Sequence, residues 1–202
     1  MISLKTSAVA AAILSALLSS PPAARGEEAV ETIVLIRHGE KPEKGLGQLN
    51  CRGLNRALAL PSVIAKAFGR PSAIFAPNPS HEKDDDGVPY DYVRPLVTVE
   101  PTAIFFGLPV NAKFGYADIA GLQAAIEQPA YRNAVVLIAW EHHYAEDMAR
   151  ALLSAHGGDP SVVPKWRKDD FDSIYVVTIG AAKADFSHRR EDLDGQPDAC
   201  PH

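Results

Sequence analysis

The residue types best suited to covalent chemistry stand together at Arg37 and His38, directly after a short apolar run. Arginine presents a planar fork of donors that matches the oxygens of a phosphate group. A neutral histidine nitrogen is a nucleophile that can form a covalent intermediate. Gly39 follows, and a glycine there lets the backbone turn sharply and approach a ligand closely. This tripeptide predicts phosphoryl chemistry with His38 as the nucleophile.

A second group of polar residues, Glu141-His142-His143, follows another apolar run and directly precedes a helical pattern. In open α/β sheets, ligands bind outside the carboxyl ends of the strands. We therefore expect His142 to meet His38 across one pocket, although the two residues are far apart in the chain. His143 is the alternative, but it lies closer to the start of the following helix.

Short apolar runs alternate with segments of helical periodicity along most of the chain. The predicted strands are residues 32–36, 72–76, 134–140 and 173–179, and the predicted helices are residues 53–68, 95–106, 117–127 and 144–156. Pro61 interrupts the first helical segment, which predicts a kink or two abutting helices there. The alternation predicts an α/β fold, a three-layer α/β/α sandwich with a mostly parallel central sheet.

Two segments fall outside this alternation. Residues 78–92 contain prolines, an acidic run and no periodicity. We expect them to form an inserted loop whose acidic run, residues 84–86, is solvated. From Lys183 onward the chain is polar and is predicted to form a C-terminal tail. No linker divides the remainder, so residues 27–202 are expected to form a single domain.

Residues 1–26 have the layout of a secretory signal peptide. Lys5 precedes an apolar run at residues 8–18, and small residues follow that run. The run is too short to span a bilayer. We therefore expect cleavage after Ala24 or Gly26, and a secreted or periplasmic protein without stable membrane insertion.

Charge and cysteine content narrow the possible partners and compartments. The 202 residues carry a formal net charge of −5, whereas a nucleic-acid-binding protein would show a basic excess or a basic stripe. The composition therefore argues against nucleic acid as a partner. The two cysteines, Cys51 and Cys200, can pair in an oxidising compartment, and two unpaired thiols are the alternative.

The Arg-His-Gly-Glu motif at residues 37–40 resembles the motif that follows the first strand in the histidine phosphatase superfamily, which includes phosphoglycerate mutases and many acid phosphatases. Four further segments resemble this family in the same order, at residues 49–57, 94–103, 106–110 and 135–142. The second of them contains Arg94, followed four residues later by Thr98. Together these similarities cover most of residues 33–154.

The resemblance implies a phosphoglycerate mutase-like fold and a phosphomonoesterase that acts on a small phosphorylated substrate without a cofactor or a metal ion. His38 would attack phosphorus and become a phosphohistidine. Arg37 and Arg94 would hold the non-bridging oxygens, and His142 would add a further donor. Lys41 is a candidate to help hold an anionic substrate near the first loop.

The sequence departs from the family pattern at three places. Asn50, a candidate substrate-binding residue, stands where threonine is common. The inserted loop at residues 78–92 replaces a short serine-containing turn before the second arginine. His143 follows the second histidine, where glycine or aspartate is usual. The proton donor to the leaving group therefore stays open between Glu141 and Asp118.

Three other interpretations compete with a phosphatase. A phosphoglycerate-type mutase would use the same nucleophile but return the phosphate to its substrate. A non-catalytic protein could bind a phosphorylated ligand with the same residues. His142 and Glu146, one helical turn apart with His143 nearby, suggest a metal site, although no third ligand has matching spacing.

Overall fold

The computed structural model describes residues 30–201, so the predicted signal peptide lies outside the described residues. Besides two short 3-10 helices, Pro129–Tyr131 and Pro160–Val162, the chain forms eight strands and four α-helices within this range. In chain order they are β1 (Glu31–Arg37), α1 (Cys51–Phe68), β2 (Ala73–Phe75), β3 (Lys83–Asp85), β4 (Val88–Tyr90), α2 (Arg94–Phe106), β5 (Val110–Asn111), α3 (Ile119–Ile126), β6 (Val135–Trp140), α4 (His142–Ala155), β7 (Ser173–Ile179) and β8 (Ala184–Arg190). None of these helices combines the length and the hydropathy that crossing a bilayer requires.

Six strands form the central sheet, in the order β5-β2-β6-β1-β7-β8. The first four run parallel to one another, and β7 and β8 are antiparallel additions on one side. β1 and β6 are paired along their length, with Arg37 opposite Trp140. The residues that follow these two strands therefore start from neighbouring positions at one edge of the sheet.

Helices cover both faces of the sheet. On one face, Leu60 and Ile64 of α1 pack with Val99 of α2 against the strands. The cluster on the opposite face includes Leu122 of α3 and Met148 of α4. The core residues of β1 alternate between these two clusters, as expected for a strand that is buried on both sides. The predicted three-layer α/β/α sandwich with a mostly parallel sheet is confirmed.

Helix α1 continues through Pro61 as one helix of 18 residues and does not divide into two. Leu60 and Ile64 are fully buried on either side of the proline. Their burial offsets the backbone hydrogen bond that a proline inside a helix cannot make. Helix α2 continues through Pro101 in the same way.

The segment predicted as a loop, residues 78–92, contains a two-stranded hairpin, so the loop prediction was wrong for its central part. β3 and β4 pair antiparallel, and Asp86 and Gly87 connect them. These two residues have φ values of 59° and 82°, which the turns best suited to hairpins require. The Asp-Gly dipeptide is a sequence signal for this turn.

The tail predicted to begin at Lys183 starts with a strand, β8, which pairs with the full length of β7. Ala184 and Phe186 pack against the core, whereas Asp185 between them is exposed. The tail prediction was therefore wrong for β8. An edge strand with one face in water has a polar composition, and only its alternation distinguishes it from a tail.

The end of the chain lies against the start of α1. Cys51 and Cys200 are joined by a disulfide, with their Cα atoms 4.5 Å apart. The Asn55 side chain donates hydrogen bonds of 2.9 Å to the carbonyl oxygens of Pro197 and Ala199. These contacts attach the last described residues to the first helix of the fold.

A buried ion network centred on Arg56 connects α1 to the loop after β1 and to the residues that flank β7 and β8. The fully buried guanidinium contacts Glu40 at 2.8 Å, Asp172 at 3.1 Å, Glu191 at 2.7 Å and Asp194 at 3.0 Å. Burial alone would lower the pKa of Arg56, but the hydrogen bonds and charges of Glu40 and Glu191 outweigh it and raise that pKa. Arg56 therefore stays charged and holds several chain segments together.

We expect Arg56→Met to lower the free energy of unfolding by about 3–5 kcal/mol, because the buried carboxylates lose their shared cation. The matched control is Arg52→Met on the same helix, which removes only an exposed ion pair with Asp198. That pair is worth no more than about 1 kcal/mol. Urea unfolding of both variants measures the difference, and equal losses would contradict the structural role of Arg56.

Candidate active site

The ends of β1 and β6 place the two predicted histidines at one buried site. His38 follows the last residue of β1, and its N–H donates to the carbonyl oxygen of Trp140, 3.2 Å away, at the end of β6. His142 begins α4 two residues after Trp140. His38 and His142 are 3% and 7% exposed, whereas His143 is exposed. His142, and not His143, is therefore the buried histidine of this segment.

The His38 ring is held as a neutral imidazole with a defined tautomer. Its Nδ1 lies 2.7 Å from the carbonyl oxygen of Gly39. A carbonyl can only accept, so Nδ1 carries the proton and Nε2 keeps its lone pair. Burial lowers the pKa of His38 well below its usual value, and the positive charges of Arg37 and Arg94 lower it further. Nε2 is therefore available as a nucleophile at neutral pH.

Gly39 is required for a close contact with α1. A Cβ atom on Gly39 would lie 2.9 Å from the carbonyl oxygen of Gly53, and the φ of Gly39 lies outside the left-handed region. Close packing against α1 therefore explains the glycine, in addition to the predicted approach to a ligand. The Gly39 N–H donates to Thr98 Oγ1 at 2.9 Å, and that hydroxyl donates to the Arg94 carbonyl at 2.8 Å. Thr98 thus ties the start of α2 to the loop that holds His38.

Arg37 is anchored by a loop that the sequence did not point to. One guanidinium nitrogen donates to the carbonyl oxygens of Lys168 and Asp170 at 2.6 and 3.2 Å. The guanidinium also lies over the ring of Phe171, 3.9 Å from its centroid. Burial lowers the pKa of Arg37 to about 10, so the side chain stays charged at neutral pH. Its position is fixed before any ligand binds.

Arg94 is buried at the start of α2 and is paired with Asp85 from the hairpin. Asp85 also accepts from Lys41 Nζ at 2.6 Å. Burial alone would raise the pKa of Asp85, but the hydrogen bonds from Arg94 and Lys41 outweigh it and hold that pKa below its usual value. The prediction that residues 84–86 are solvated is wrong for Asp85, whose carboxylate partly neutralises the two cations.

Glu141 caps helix α4 and does not hold a proton at neutral pH. Its carboxylate accepts from the N–H groups of His143 and Tyr144 at 2.9 and 3.2 Å. Its Oε1 also contacts Nδ1 of His142 at 2.8 Å. Burial alone would raise the pKa of Glu141, but the contacts with His142 and Tyr144 outweigh it and lower that pKa to about 2. The first candidate proton donor is therefore ionised in the free protein.

The other predicted polar residues contribute mainly to local structure. Asp118, the second candidate proton donor, is exposed and caps α3 by accepting from the Gly121 N–H at 3.0 Å. The Asn50 side chain caps α1 by accepting from the Gly53 N–H at 2.9 Å, and it donates to the Lys41 carbonyl at 3.2 Å. Asn50 therefore positions the loop, and Lys41 reaches the site through its contact with Asp85.

Several buried polar atoms around His38 have no hydrogen-bond partner among the described residues. They are Nε of Arg37, Nε of Arg94, the hydroxyl of Tyr92 and Nε2 of His142. A buried donor without a partner costs about 1–3 kcal/mol. Such a group is normally satisfied by water or by a ligand. This concentration of donors beside a neutral nucleophile suits a ligand with several acceptor oxygens.

Among the described residues, one cluster of side chains could hold a metal ion. Its members are Glu141, His142 and His143, whose ligating atoms lie within 4.8 Å of one another. The pair suggested by helical spacing is not formed, because the Glu146 carboxylate instead accepts from the Trp166 N–H at 2.7 Å and contacts Arg150. The geometry therefore moves the candidate metal ligands from the helix face to its N-terminus.

No protein-family model matches the chain, and no curated protein matches it. Solved structures do share its fold. The protein assigned as phosphohistidine phosphatase SixA from Nakamurella multipartitia has a TM-score of 0.52 at 15% identity, over 80% of this chain and 96% of its own. Phosphoglycerate mutase from Plasmodium falciparum has a TM-score of 0.52 at 12% identity, over 82% of this chain and 92% of its own.

A third structure of this kind is a mycobacterial glucosyl-3-phosphoglycerate phosphatase in complex with inorganic phosphate. Its TM-score is 0.51 at 14% identity, over 78% of this chain and 95% of its own. All three proteins are members of the histidine phosphatase superfamily. The chain has the fold of this superfamily, so the predicted phosphoglycerate mutase-like architecture is confirmed.

We expect Asp85→Asn to bind inorganic phosphate about tenfold more tightly, which corresponds to about 1.4 kcal/mol. The change removes one negative charge beside Arg94 and Lys41 and leaves one acceptor oxygen for two cations that now contact different oxygens of the carboxylate. The matched control is Asp86→Asn in the same hairpin, where the side chain is exposed and asparagine suits the positive φ. Calorimetric titration measures both affinities. A weaker affinity in Asp85→Asn, or an equal gain in the control, would contradict this role of Asp85.

Proposed function

We propose that this protein is a phosphomonoesterase that acts on a small phosphorylated substrate through a phosphohistidine on His38, without a metal ion. The observation that supports it most is the neutral His38 ring, whose free Nε2 stands among buried, unpartnered donors. Two charged guanidinium groups belong to this set. A phosphate monoester offers both the electrophilic phosphorus and the acceptor oxygens that this arrangement lacks.

In the first step, Nε2 of His38 attacks phosphorus, and an N–P bond forms as the bond from phosphorus to the ester oxygen breaks. Arg37 and Arg94 hold the non-bridging oxygens, where charge must be stabilised through the transition state. His142 lies at the N-terminus of α4, where the helix dipole also favours an anion. In the second step, water attacks the phosphohistidine, which releases inorganic phosphate and restores His38.

The leaving oxygen must gain a proton, and this requirement decides the choice of assay. Glu141 is ionised in the free protein, and the Asp118 carboxylate is engaged in capping a helix. An aryl phosphate depends least on a general acid, because a phenolate is a stable leaving group without protonation. We therefore choose p-nitrophenyl phosphate as the first substrate.

We also propose that the protein is exported. The predicted signal peptide at residues 1–26 supports this proposal. The disulfide between Cys51 and Cys200 supports it as well, because such bonds persist mainly in oxidising compartments. Expression of the full chain in a bacterial host, followed by N-terminal sequencing of the periplasmic fraction, tests it. An intact N-terminus in the cytoplasm would overturn it.

The direct test of the nucleophile is His38→Ala. We expect the wild-type protein to hydrolyse p-nitrophenyl phosphate in excess chelator, and the variant to fall to background. The matched control is His156→Ala at the end of α4, whose ring pairs with Glu127 near Glu31 at the start of β1, the opposite edge of the sheet from His38; it is expected to keep wild-type activity. An alkaline quench with radiolabelled substrate should trap label on wild-type protein only.

Four outcomes of this experiment would decide against the proposal. Equal activity in His38→Ala and wild type would exclude His38 as the nucleophile. Complete loss of activity in chelator, restored by a metal ion, would show that Glu141, His142 and His143 form a functional metal site. Label that returns to the substrate without release of phosphate would show a mutase. Phosphate binding without any label on the protein would show a binding protein.

The pH dependence of kcat/KM follows from the environment of His38. A base whose pKa is lowered stays deprotonated to lower pH, and kcat/KM reports the free enzyme. We expect kcat/KM, corrected for the ionisation of the substrate near pH 6, to stay level from about pH 7.5 down to about pH 5.5. Steady-state rates across this range provide the measurement. An acid limb centred near pH 6.5 would mean that His38 titrates as an ordinary histidine.

A further inference from the structure

Tyr92 is a site residue that the catalytic sequence motifs do not include. It lies two residues before Arg94 and is 0% exposed. Its ring meets the His38 ring edge-on, with the centroids 6.1 Å apart at an interplanar angle of 88°. The Tyr92 ring also packs against the ring of Tyr116, with the centroids 5.6 Å apart. The Tyr92 N–H donates to the Pro79 carbonyl at 2.9 Å, so backbone and ring are both held in place.

The Tyr92 hydroxyl is buried, and among residues 30–201 its proton has no acceptor, because the Arg94 guanidinium beside it can only donate. It lies within reach of the charges of Arg94, Glu141 and Arg37, which places it among the groups that surround His38. Burial raises the pKa of Tyr92 far above its usual value, and the two arginine charges only partly oppose this. The hydroxyl therefore keeps its proton at any pH at which the protein works, and it is available as a donor.

A second buried tyrosine shows how the fold treats this side chain elsewhere. Tyr175 is 1% exposed, and its hydroxyl donates to the carbonyl oxygen of Pro164 at 3.1 Å. A buried tyrosine hydroxyl usually finds such a partner. The exception at Tyr92 coincides with the unpartnered Nε atoms of Arg37 and Arg94. All three donors beside His38 therefore lack a hydrogen-bond acceptor.

We propose that the Tyr92 hydroxyl donates a hydrogen bond to a non-bridging oxygen of the phosphoryl group during its transfer to His38. This inference rests on the proposed function, to which it adds a catalytic residue. As the N–P bond forms and the ester bond breaks, negative charge on the non-bridging oxygens is shared among Arg37, Arg94 and Tyr92. Tyr92 keeps its proton throughout, so it stabilises charge and transfers nothing.

The test is Tyr92→Phe, which removes one oxygen atom and keeps the buried ring. We expect kcat/KM for p-nitrophenyl phosphate to fall about 100-fold, as for the loss of one donor to a developing oxyanion. A donor to a non-bridging oxygen acts whatever the leaving group is. The same factor is therefore expected for an alkyl phosphate such as glycerol phosphate.

Two further measurements separate this role from a structural one. Calorimetric titration should show weaker binding of inorganic phosphate and of vanadate to Tyr92→Phe, and the midpoint of thermal unfolding should not decrease. The matched control, Tyr175→Phe, removes a satisfied hydroxyl away from the site. It should lower the unfolding midpoint and leave kcat/KM and phosphate affinity unchanged.

Each contrary result has a distinct meaning. Wild-type kcat/KM in Tyr92→Phe, while His38 is phosphorylated normally, would overturn the role of Tyr92 and leave the proposed function standing. A loss confined to alkyl phosphates would also overturn it, because Tyr92 would then be protonating the leaving group. Absence of any phosphohistidine in the wild-type protein would overturn the proposed function together with this inference.

Discussion

The pairing between β1 and β6 is the constraint on which the site depends. Arg37 stands opposite Trp140, and the His38 N–H binds the Trp140 carbonyl directly. Parallel neighbours end at the same edge, so the segments that follow them deliver His38 and His142 to one place. Other elements then attach to this edge. Helix α2 does so through Thr98, and the loop after α4 does so through its carbonyl contacts with Arg37.

Charge balance inside the site follows from the cost of burying ions. An unpaired guanidinium is expensive to remove from water, and the fold meets this cost differently for each one. Arg37 is held by backbone carbonyls and an aromatic face, whereas Arg94 is paired with the Asp85 carboxylate. Both arginines nevertheless keep an unpartnered Nε. Their combined field, with burial, keeps His38 neutral, so the same cations that would bind phosphate also prepare the nucleophile.

The sequence predicted the part of the site that depends on local pattern. His38 and His142 follow apolar runs, and strand periodicity together with the topology of α/β sheets is sufficient to bring them together. Arg94 lies at the start of a predicted helix. The disulfide partners could be named as well, because the chain contains only two cysteines and two cysteines allow only one intramolecular bridge; pairing was therefore favoured over two unpaired thiols.

The contributions of Asp85, Tyr92 and the loop around Phe171 could not be predicted in the same way. Each depends on a long-range contact that no periodicity encodes, and an acidic residue in a polar run normally lies in solvent. The Asp-Gly turn at residues 86–87 could have revealed the hairpin, but not that it buries a carboxylate against Arg94. The two candidate proton donors were chosen by their position in the chain, and their roles as helix caps became visible only in the structure.

The central claim is that the buried donors around His38 form the binding site for a phosphoryl group in transfer. A crystal structure of the protein with vanadate, an analogue of that transition state, tests it most directly. The account predicts vanadium bonded to Nε2 of His38, with Arg37 and Arg94 donating to its equatorial oxygens. Vanadate bound away from His38, or coordinated through a metal ion at His142 and His143, would contradict the account.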